Sequence, residues 1–355
     1  TRHWIPPLPH SRRAKMKLAF IIDQLDSIKT TKDSSYAMMC EAIARNHQIY
    51  VLYQHDIFLI NHVVTGYACA LHLTDTPHRD GHWYSVSRAE ATPLNQFDAV
   101  LMRKDPPFDM EYVYSTYLLE LAENQGAWVI NNPCAIRDHN EKLAITQFPQ
   151  WIAPTLVTSQ GQLIHEFLET HLDIILKPLD GMGGASVFRV HRADHNLNVI
   201  LETLTHYGTR TIMAQRFIPE IVQGDKRILL IDGKVVPFAL ARIPKPGETR
   251  GNLAVGGIGQ AQALSDRDRE IAESLGPELA QRGLLLVGLD VIGDNLTEIN
   301  VTSPTGMQEI TRETGFNVAG MMLDAIETNR SVRKTRFRRQ ACCSTGNGNK
   351  LSGKE

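Results

Sequence analysis

The stretch IILKPLDGMGGASVFRV, residues 174–190, sets a lysine and a glycine cluster between two apolar runs. Both runs read as short buried strands, and glycine punctuates turns. One turn does not need glycine at 181, 183 and 184 together. Glycines without Cβ also let successive backbone N–H groups approach an anion closely, as in a loop that covers phosphate. Taken alone the stretch supports either reading, a turn between strands or an anion loop, because glycine motifs also match by chance.

The chain around it has 355 residues, 43% hydrophobic and 21% charged, which suits a soluble globular protein of two or three packed domains. No apolar run approaches the roughly 20 residues a membrane helix requires, so a membrane is not an expected partner. The leading residues carry Arg2, Arg12, Arg13 and Lys15 without an apolar core segment, which argues against a secretory signal and for an unstructured extension over residues 1–16. The five cysteines are odd in number and lack C-x-x-C spacing, which predicts reduced thiols and a cytoplasmic protein. His72, His78 and His82 do not have the spacing of a zinc motif and read as a surface loop. The formal net charge of −2 conceals a basic end, where Arg333, Lys334, Arg336, Arg338, Arg339, Lys350 and Lys354 face only Glu355. That tail, residues 330–355, reads as disordered because it is polar and Gly-rich; the acidic body argues against nucleic acid as the main partner.

Along the chain, KLAFIID (17–23), SSYAMMCEAIARN (34–46) and HQIYVLY (47–53) read as strand, helix and strand, a β-α-β opening that favours a parallel sheet. FDAVLM, the helical EYVYSTYLLELAENQG and AWVINNP extend this into an N-terminal α/β domain over residues 17–137. Beyond it NEKLAITQF reads as a helix. PTLVTS, DIILKPL, ASVFRV, TIMAQRFI, KRILLIDGKVVPFALARI, LLLVGLDVIG and LTEINVTSP read as strands, several joined by tight turns. IPKPGETRGNLAVGGIGQ, residues 243–260, is too Gly-rich for a regular element, and DRDREIAESLGPELAQRG after it reads as a helix.

The last hairpin carries the most chemistry. Side chains on a strand alternate faces, so Glu298 and Asn300 share one face. A three-residue loop at Gly293–Asn295 would set Asp290 opposite Glu298 on that face. Two carboxylates and an amide oxygen make an oxygen-rich set suited to Mg²⁺; the alternative is a solvated polar edge. Lys177, Arg227, Arg242 and Arg250 sit at strand ends or in the Gly-rich loop, where they suit a clamp for phosphates and carboxylates. The familiar nucleotide motifs do not fit: Ser186 stands where a dinucleotide fingerprint needs glycine, and neither a Walker A loop nor a kinase catalytic loop is present.

Together KDSSYAMM, LMRKDPPFD, NNPCAIRDHNEKL, the opening stretch, GDKRILLIDG, ARIPKPGETRGNLAVGG and VGLDVIGDNLTEINVTSPTG make the chain, from Lys17 to about Asn329, resemble the bacterial-type glutathione synthetases, ATP-grasp carboxylate–amine ligases. The resemblance implies an α/β chain with α+β subdomains: an ATP-grasp fold, with central subdomain 138–210 and C-terminal subdomain 211–329 bearing a lid at 243–260, behind an N-terminal parallel-sheet domain on the substrate side. It implies ATP held by Lys142 and Lys177, covered by Gly181, Met182, Gly183 and Gly184, with adenine at Gln215, Arg216, Phe217 and Ile218 and an acid at Asp225. Asp290, Glu298 and Asn300 match ligands of Mg²⁺, two ions, with Mn²⁺ able to substitute. Arg227, Arg242, Ser303 and Thr305 match residues around the reacting carboxylate, Arg250 falls in the lid, and Lys29 and Asp33 lie in the loop that closes over the peptide. The implied substrates are γ-glutamylcysteine and glycine, and the implied assembly is a homotetramer. The rival expectations are a D-alanine or glutamate ligase of the same fold, and an inactive nucleotide-binding scaffold, which would lack a metal ligand or a phosphate lysine.

Overall fold

The expected β-α-β opening forms as Lys17–Ile22 (β1), Ser34–Ala44 (α1) and Gln48–Tyr53 (β2) in the computed structural model, which describes residues 14–74, 83–245, 247, 251 and 256–345, with side chains as far as residue 333. β1 and β2 pair in parallel, Lys17 opposite Gln48. Every residue of β1 after Lys17 is buried, as a central strand covered on both faces demands. Met16, expected within the extension, is also buried, and its backbone N–H donates to His47 Nδ1 at 3.3 Å. Asp33 caps α1 by accepting the Tyr36 N–H at 2.9 Å, which satisfies one of the first turn's orphan donors.

Ile57–Ile60 (β3), Val63–Leu73 (β4), Tyr84–Val86 (β5) and Glu90–Pro93 (β6) then build an antiparallel wing. Ala99–Met102 (β7), Met110–Asn124 (α2), Val129–Ile130 (β8) and Pro133–Asp138 (α3) follow. The result is an eight-stranded sheet with the path β3-β4-β2-β1-β7-β8, parallel from β2 to β8, with β5 and β6 pairing to β4.

From residue 140 the pairing becomes antiparallel. NEKLAITQF does not form the expected helix. Asn140 Oδ1 caps a turn by accepting the N–H groups of Lys142 and Leu143, but the run makes only a 3-10 turn at Leu143–Gln147, since Pro149 has no N–H to continue a ladder and opens a separate turn at Pro149–Trp151. Thr155–Thr158 (β9), Gly161–His171 (α4), Asp173–Pro178 (β10), Phe188–His191 (β11), Leu197–Thr205 (α5) and Ile212–Arg216 (β12) form a sheet of order β11-β10-β12-β9. Ile164 and Leu168 from α4 and Leu201 and Leu204 from α5 pack on Ile174, Leu176 and Val190 of this sheet. The opening stretch is therefore a hairpin, with Asp173 opposite His191 and residues 179–187 as its loop.

Asp225–Ile231 (β13), Lys234–Ile243 (β14), Ile258–Ala263 (β15), Asp266–Gln281 (α6), Leu286–Ile292 (β16) and Asn295–Asn300 (β17) form a second antiparallel sheet of order β15-β14-β13-β16-β17. β15 begins inside the segment expected to be irregular and pairs along β14, Ile243 opposite Ile258. Met307–Thr314 (α7) and Val318–Thr345 (α8) close the chain, so the first part of the basic tail expected to be disordered continues a helix to Thr345. Val318, Met322, Leu323 and Ile326 of α8 join Leu18, Phe20, Leu229, Ile231 and Leu240 in one apolar cluster, which welds the parallel sheet to the β13–β14 side of the second antiparallel sheet. Among the described residues no helix is long and apolar enough to cross a membrane.

Candidate active site

The β16–β17 hairpin turns at Gly293–Asp294, with Ile292 opposite Asn295; the expected three-residue loop is not formed. A register shift after Asp290 leaves Thr297 without a partner, and this bulge restores what the shorter loop would have displaced: Asp290 stands opposite Glu298. Asn300 follows two residues on, opposite Gly288, so two carboxylates and an amide share the expected face.

The adjoining strands bring arginines onto the same spot. Arg227 on β13 is the register partner of Asp290, and Arg242 on β14 is the partner of Asp225. Asp290 is buried; Arg227 donates to it through Nε at 2.5 Å and Nη2 at 3.0 Å, and Arg242 Nη2 lies 2.8 Å away. Burial alone would raise this carboxyl, but the two guanidinium groups hold it well below the usual carboxylate range. Asp225 is in the opposite state. Its Oδ2 accepts from Arg242 at 2.5 Å while its buried Oδ1 has no partner. Burial, reinforced by Asp290 and Glu298 and only partly offset by Arg242, lifts it to about 7. Gly288 makes room for this arrangement, since a Cβ there would stand 2.8 Å from Arg227 Cδ.

Lys142 ties the hairpin to the glycine loop. Its Nζ donates to Glu141 Oε1 at 2.5 Å and to the Gly181 carbonyl at 2.6 Å, and it lies 3.5 Å from Glu298. Burial would lower its pKa, yet Glu298 and Glu141 hold the ammonium above its ordinary value. Lys177, also buried, donates to the Thr297 carbonyl at 3.4 Å and is pushed down by desolvation. Gly183 and Gly184 adopt φ of 63° and 79°, a region open to glycine and costly for other residues.

Two cavities meet here. One, of ≈ 110 Å³, is lined by Lys142, Lys177, Gly181, Asp225, Gln215 and Glu298 together with the apolar Ile175, Val187, Phe217, Ile218 and Ile292. Phe217 is braced from outside, with the Arg189 guanidinium 3.6 Å from its ring centroid and itself paired to Asp173 at 2.6 Å. The second, of ≈ 240 Å³, is lined by Met182, Arg227, Arg242, Glu298, Asn300, Ser303 and Thr305, with Asp105 and Glu141. Gly183 and Glu298 belong to both walls.

Most of the sequence-predicted residues thus converge, and some do not. Arg216 lines the first cavity with its neighbours. Lys29 is exposed and Asp33 serves as a helix cap, and neither lines the two cavities. Ser303 spends its hydroxyl on Asp105. Arg250 lies outside the described residues. Glu141 and Asp105 also line the second cavity without being among the expected site residues, although each lies within a motif, NEK and RKDPP. The Asp290, Glu298 and Asn300 set fits Mg²⁺: it is all oxygen and it faces Lys142 and the arginines that phosphates would need. Among the described residues no cluster of three His, Cys, Asp or Glu is disposed to hold a metal.

Comparison with known proteins agrees with this geometry. Residues 16–137 match the family model of the prokaryotic glutathione synthetase N-terminal domain, and residues 141–315 match that of the prokaryotic glutathione synthetase ATP-grasp domain. The chain is 68% identical to a glutathione synthetase of Nitrosomonas europaea, over 90% of this chain and 100% of that protein. It is 60% identical to one of Ralstonia nicotianae, over 88% and 95%. Among solved structures, D-cycloserine synthetase DcsG superposes with a TM-score of 0.61 at 14% identity, over 88% of this chain and 99% of that one. The ATP-grasp ligase PsnB, solved with Mg and ADP, superposes at 0.57 and 16%, over 89% and 98%. These two likenesses show the ATP-grasp fold. With both family models matched in sequence order and the cavity-lining residues gathered at one seam, the chain belongs to the prokaryotic glutathione synthetase family, ATP-dependent ligases of the ATP-grasp fold.

Proposed function

We propose that the chain completes glutathione, joining γ-glutamylcysteine to glycine while ATP becomes ADP and phosphate. A cysteinyl carboxylate oxygen attacks the γ-phosphorus and ADP leaves. The glycine amine then attacks the acyl carbon, phosphate departs with that oxygen, and the nitrogen loses a proton. Positioning and charge neutralisation carry such a reaction, since the protein has little covalent chemistry to do.

The residues divide accordingly. The apolar slot beside Gln215, Arg216, Phe217 and Ile218 receives adenine, and Lys142 and Lys177 take the phosphates under the loop of Gly181, Met182, Gly183 and Gly184. Asp225 is the nucleotide-site acid. Arg227 and Arg242 turn from Asp290 to the reacting carboxylate and the transferring phosphoryl group, with Ser303 and Thr305 on the facing loop. Asp290, Glu298 and Asn300 would hold Mg²⁺, two ions, with Mn²⁺ as a substitute; bound there, the metal neutralises phosphate charge. Arg250 belongs to a lid over residues 243–260 that keeps water from the acyl phosphate, and Lys29 and Asp33 approach the peptide from the N-terminal domain. The division into a substrate-side domain (17–137) and ATP-grasp subdomains (138–210 and 211–329), a homotetrameric assembly and cytoplasmic action belong to the same reading.

The observation that carries it is the shared wall: Glu298 and Gly183 line both cavities, so the phosphate end of one opens on the arginine-lined end of the other. The test is oxygen transfer. With ¹⁸O in the cysteinyl carboxylate, one labelled atom is expected in the inorganic phosphate released; unlabelled phosphate alongside tripeptide formation would rule out the acyl phosphate.

A further inference from the structure

The second cavity carries side chains that the reaction does not use. Three carboxylates line it: Asp105, Glu141 and Glu298. Glu141 is paired with Lys142 at 2.5 Å, and Glu298 faces the same lysine at 3.5 Å. Asp105 has no ion pair among the described residues. It is nevertheless held firmly. Its Oδ1 accepts the Ser303 hydroxyl, and its backbone N–H donates to Asp23 Oδ2 at 2.9 Å. The neighbouring Lys104 is turned away, with Nζ on Asp23 at 2.8 Å and on the Asp105 carbonyl at 2.8 Å. Behind this wall the buried Arg103 donates to the Pro304 carbonyl and to Ser35 Oγ, both at 3.0 Å, which fixes the loop carrying Ser303 against the loop carrying Asp105. A carboxylate held this way on a cavity wall, with one oxygen uncommitted and only Arg103 acting on it from behind without an ion-pair contact, suits a cation brought by the ligand.

The peptide substrate supplies one. This step rests on the reading of the site given above: with the cysteinyl carboxylate at Arg227 and Arg242, the γ-glutamyl end points away from them and carries a free α-ammonium, because the peptide bond uses the side-chain carboxyl. We propose that Asp105 receives that ammonium and is the residue that selects γ-glutamyl over acyl groups lacking an α-amine. Recognition is then charge-assisted and directional, and leaving Asp105 unpaired against the wrong substrate adds to the discrimination.

Steady-state kinetics with γ-glutamylcysteine and with glutarylcysteine, which replaces the ammonium by hydrogen, tests this directly. The wild-type protein is expected to prefer γ-glutamylcysteine in kcat/KM by about 10- to 100-fold, the worth of a charge-assisted hydrogen bond. Asp105→Asn keeps the acceptor for Ser303 and removes the charge. It is expected to raise KM for γ-glutamylcysteine, leave KM for ATP unchanged, and leave glutarylcysteine within about twofold of wild type, so that the preference collapses. Asp105→Ser serves as a second variant should Asn disturb folding, judged by the thermal transition. Equal losses with both peptides, or a wild-type protein indifferent to the ammonium, would overturn the assignment. A wild-type protein that does not turn over γ-glutamylcysteine at all would overturn the reaction itself, and the two failures are thereby distinguished.

Discussion

Glu298 is the residue on which most of the site depends, since it faces Lys142, pairs in register with Asp290 and lines both cavities. Its carboxylate is partly exposed at the seam and supports no apolar packing, so Glu298→Ala is expected to leave the thermal transition within a few degrees of wild type while abolishing Mg²⁺-dependent turnover. Near-normal activity would remove the hairpin from the metal site. Asp225 makes a prediction of known sign. Its folded value of about 7 lies above the ordinary 3.8, so the folded state binds the proton more tightly than the unfolded chain. Its contribution to stability is full below 3.8 and is lost as pH rises through about 7. Melting curves across that window are expected to fall less steeply for Asp225→Asn than for wild type. At this scale alternation is enough to put Asp290, Glu298 and Asn300 on one face, even with the loop length wrong, because the bulge at Thr297 offsets the error. The clasp of Arg227 and Arg242 on Asp290 was not legible, since it depends on β14, β13 and β16 lying side by side, a non-local fact.

Among elements, the glycine loop and the β8 edge do the joining. Asn131, one residue past β8, is buried and crosses to the second antiparallel sheet: its Nδ2 donates to the carbonyls of Leu286 and Val301, both at 2.7 Å, and its Oδ1 accepts the Leu286 N–H at 2.9 Å. Asn131→Ala would orphan those backbone groups, at about 3 kcal/mol of stability in denaturant titration. Continuous apolar runs such as β1 and β16 and a long helical run such as α2 are legible in the sequence. β3 to β6 and β15 were not: they are short or carry mixed burial, and β15 is exposed at alternate positions, so the ladder on β14 rather than hydrophobicity sustains it. The helix expected at residues 140–148 is cut to a 3-10 turn for a local reason, Pro149, which cannot continue the ladder.

The whole molecule is held by the apolar cluster that α8 shares with β1, β13 and β14. Because this core spans the parallel sheet and part of the ATP-grasp region, Leu323→Ala, at a fully buried position, is expected to cost about 2–5 kcal/mol and to lower the stability of both together; calorimetry resolving two separately shifted transitions would contradict that. The fold class was legible as a whole because the β-α-β opening and the ordered motifs extend across both halves, whereas α8 as a bridge was not, since its sequence turns basic where the helix runs on. The central claim, that this architecture completes glutathione, is tested most directly by ADP release coupled to product mass. γ-Glutamylcysteine with glycine is expected to drive ATP consumption and yield the tripeptide. No turnover with that pair, and turnover with D-alanine or glutamate in its place, would contradict it.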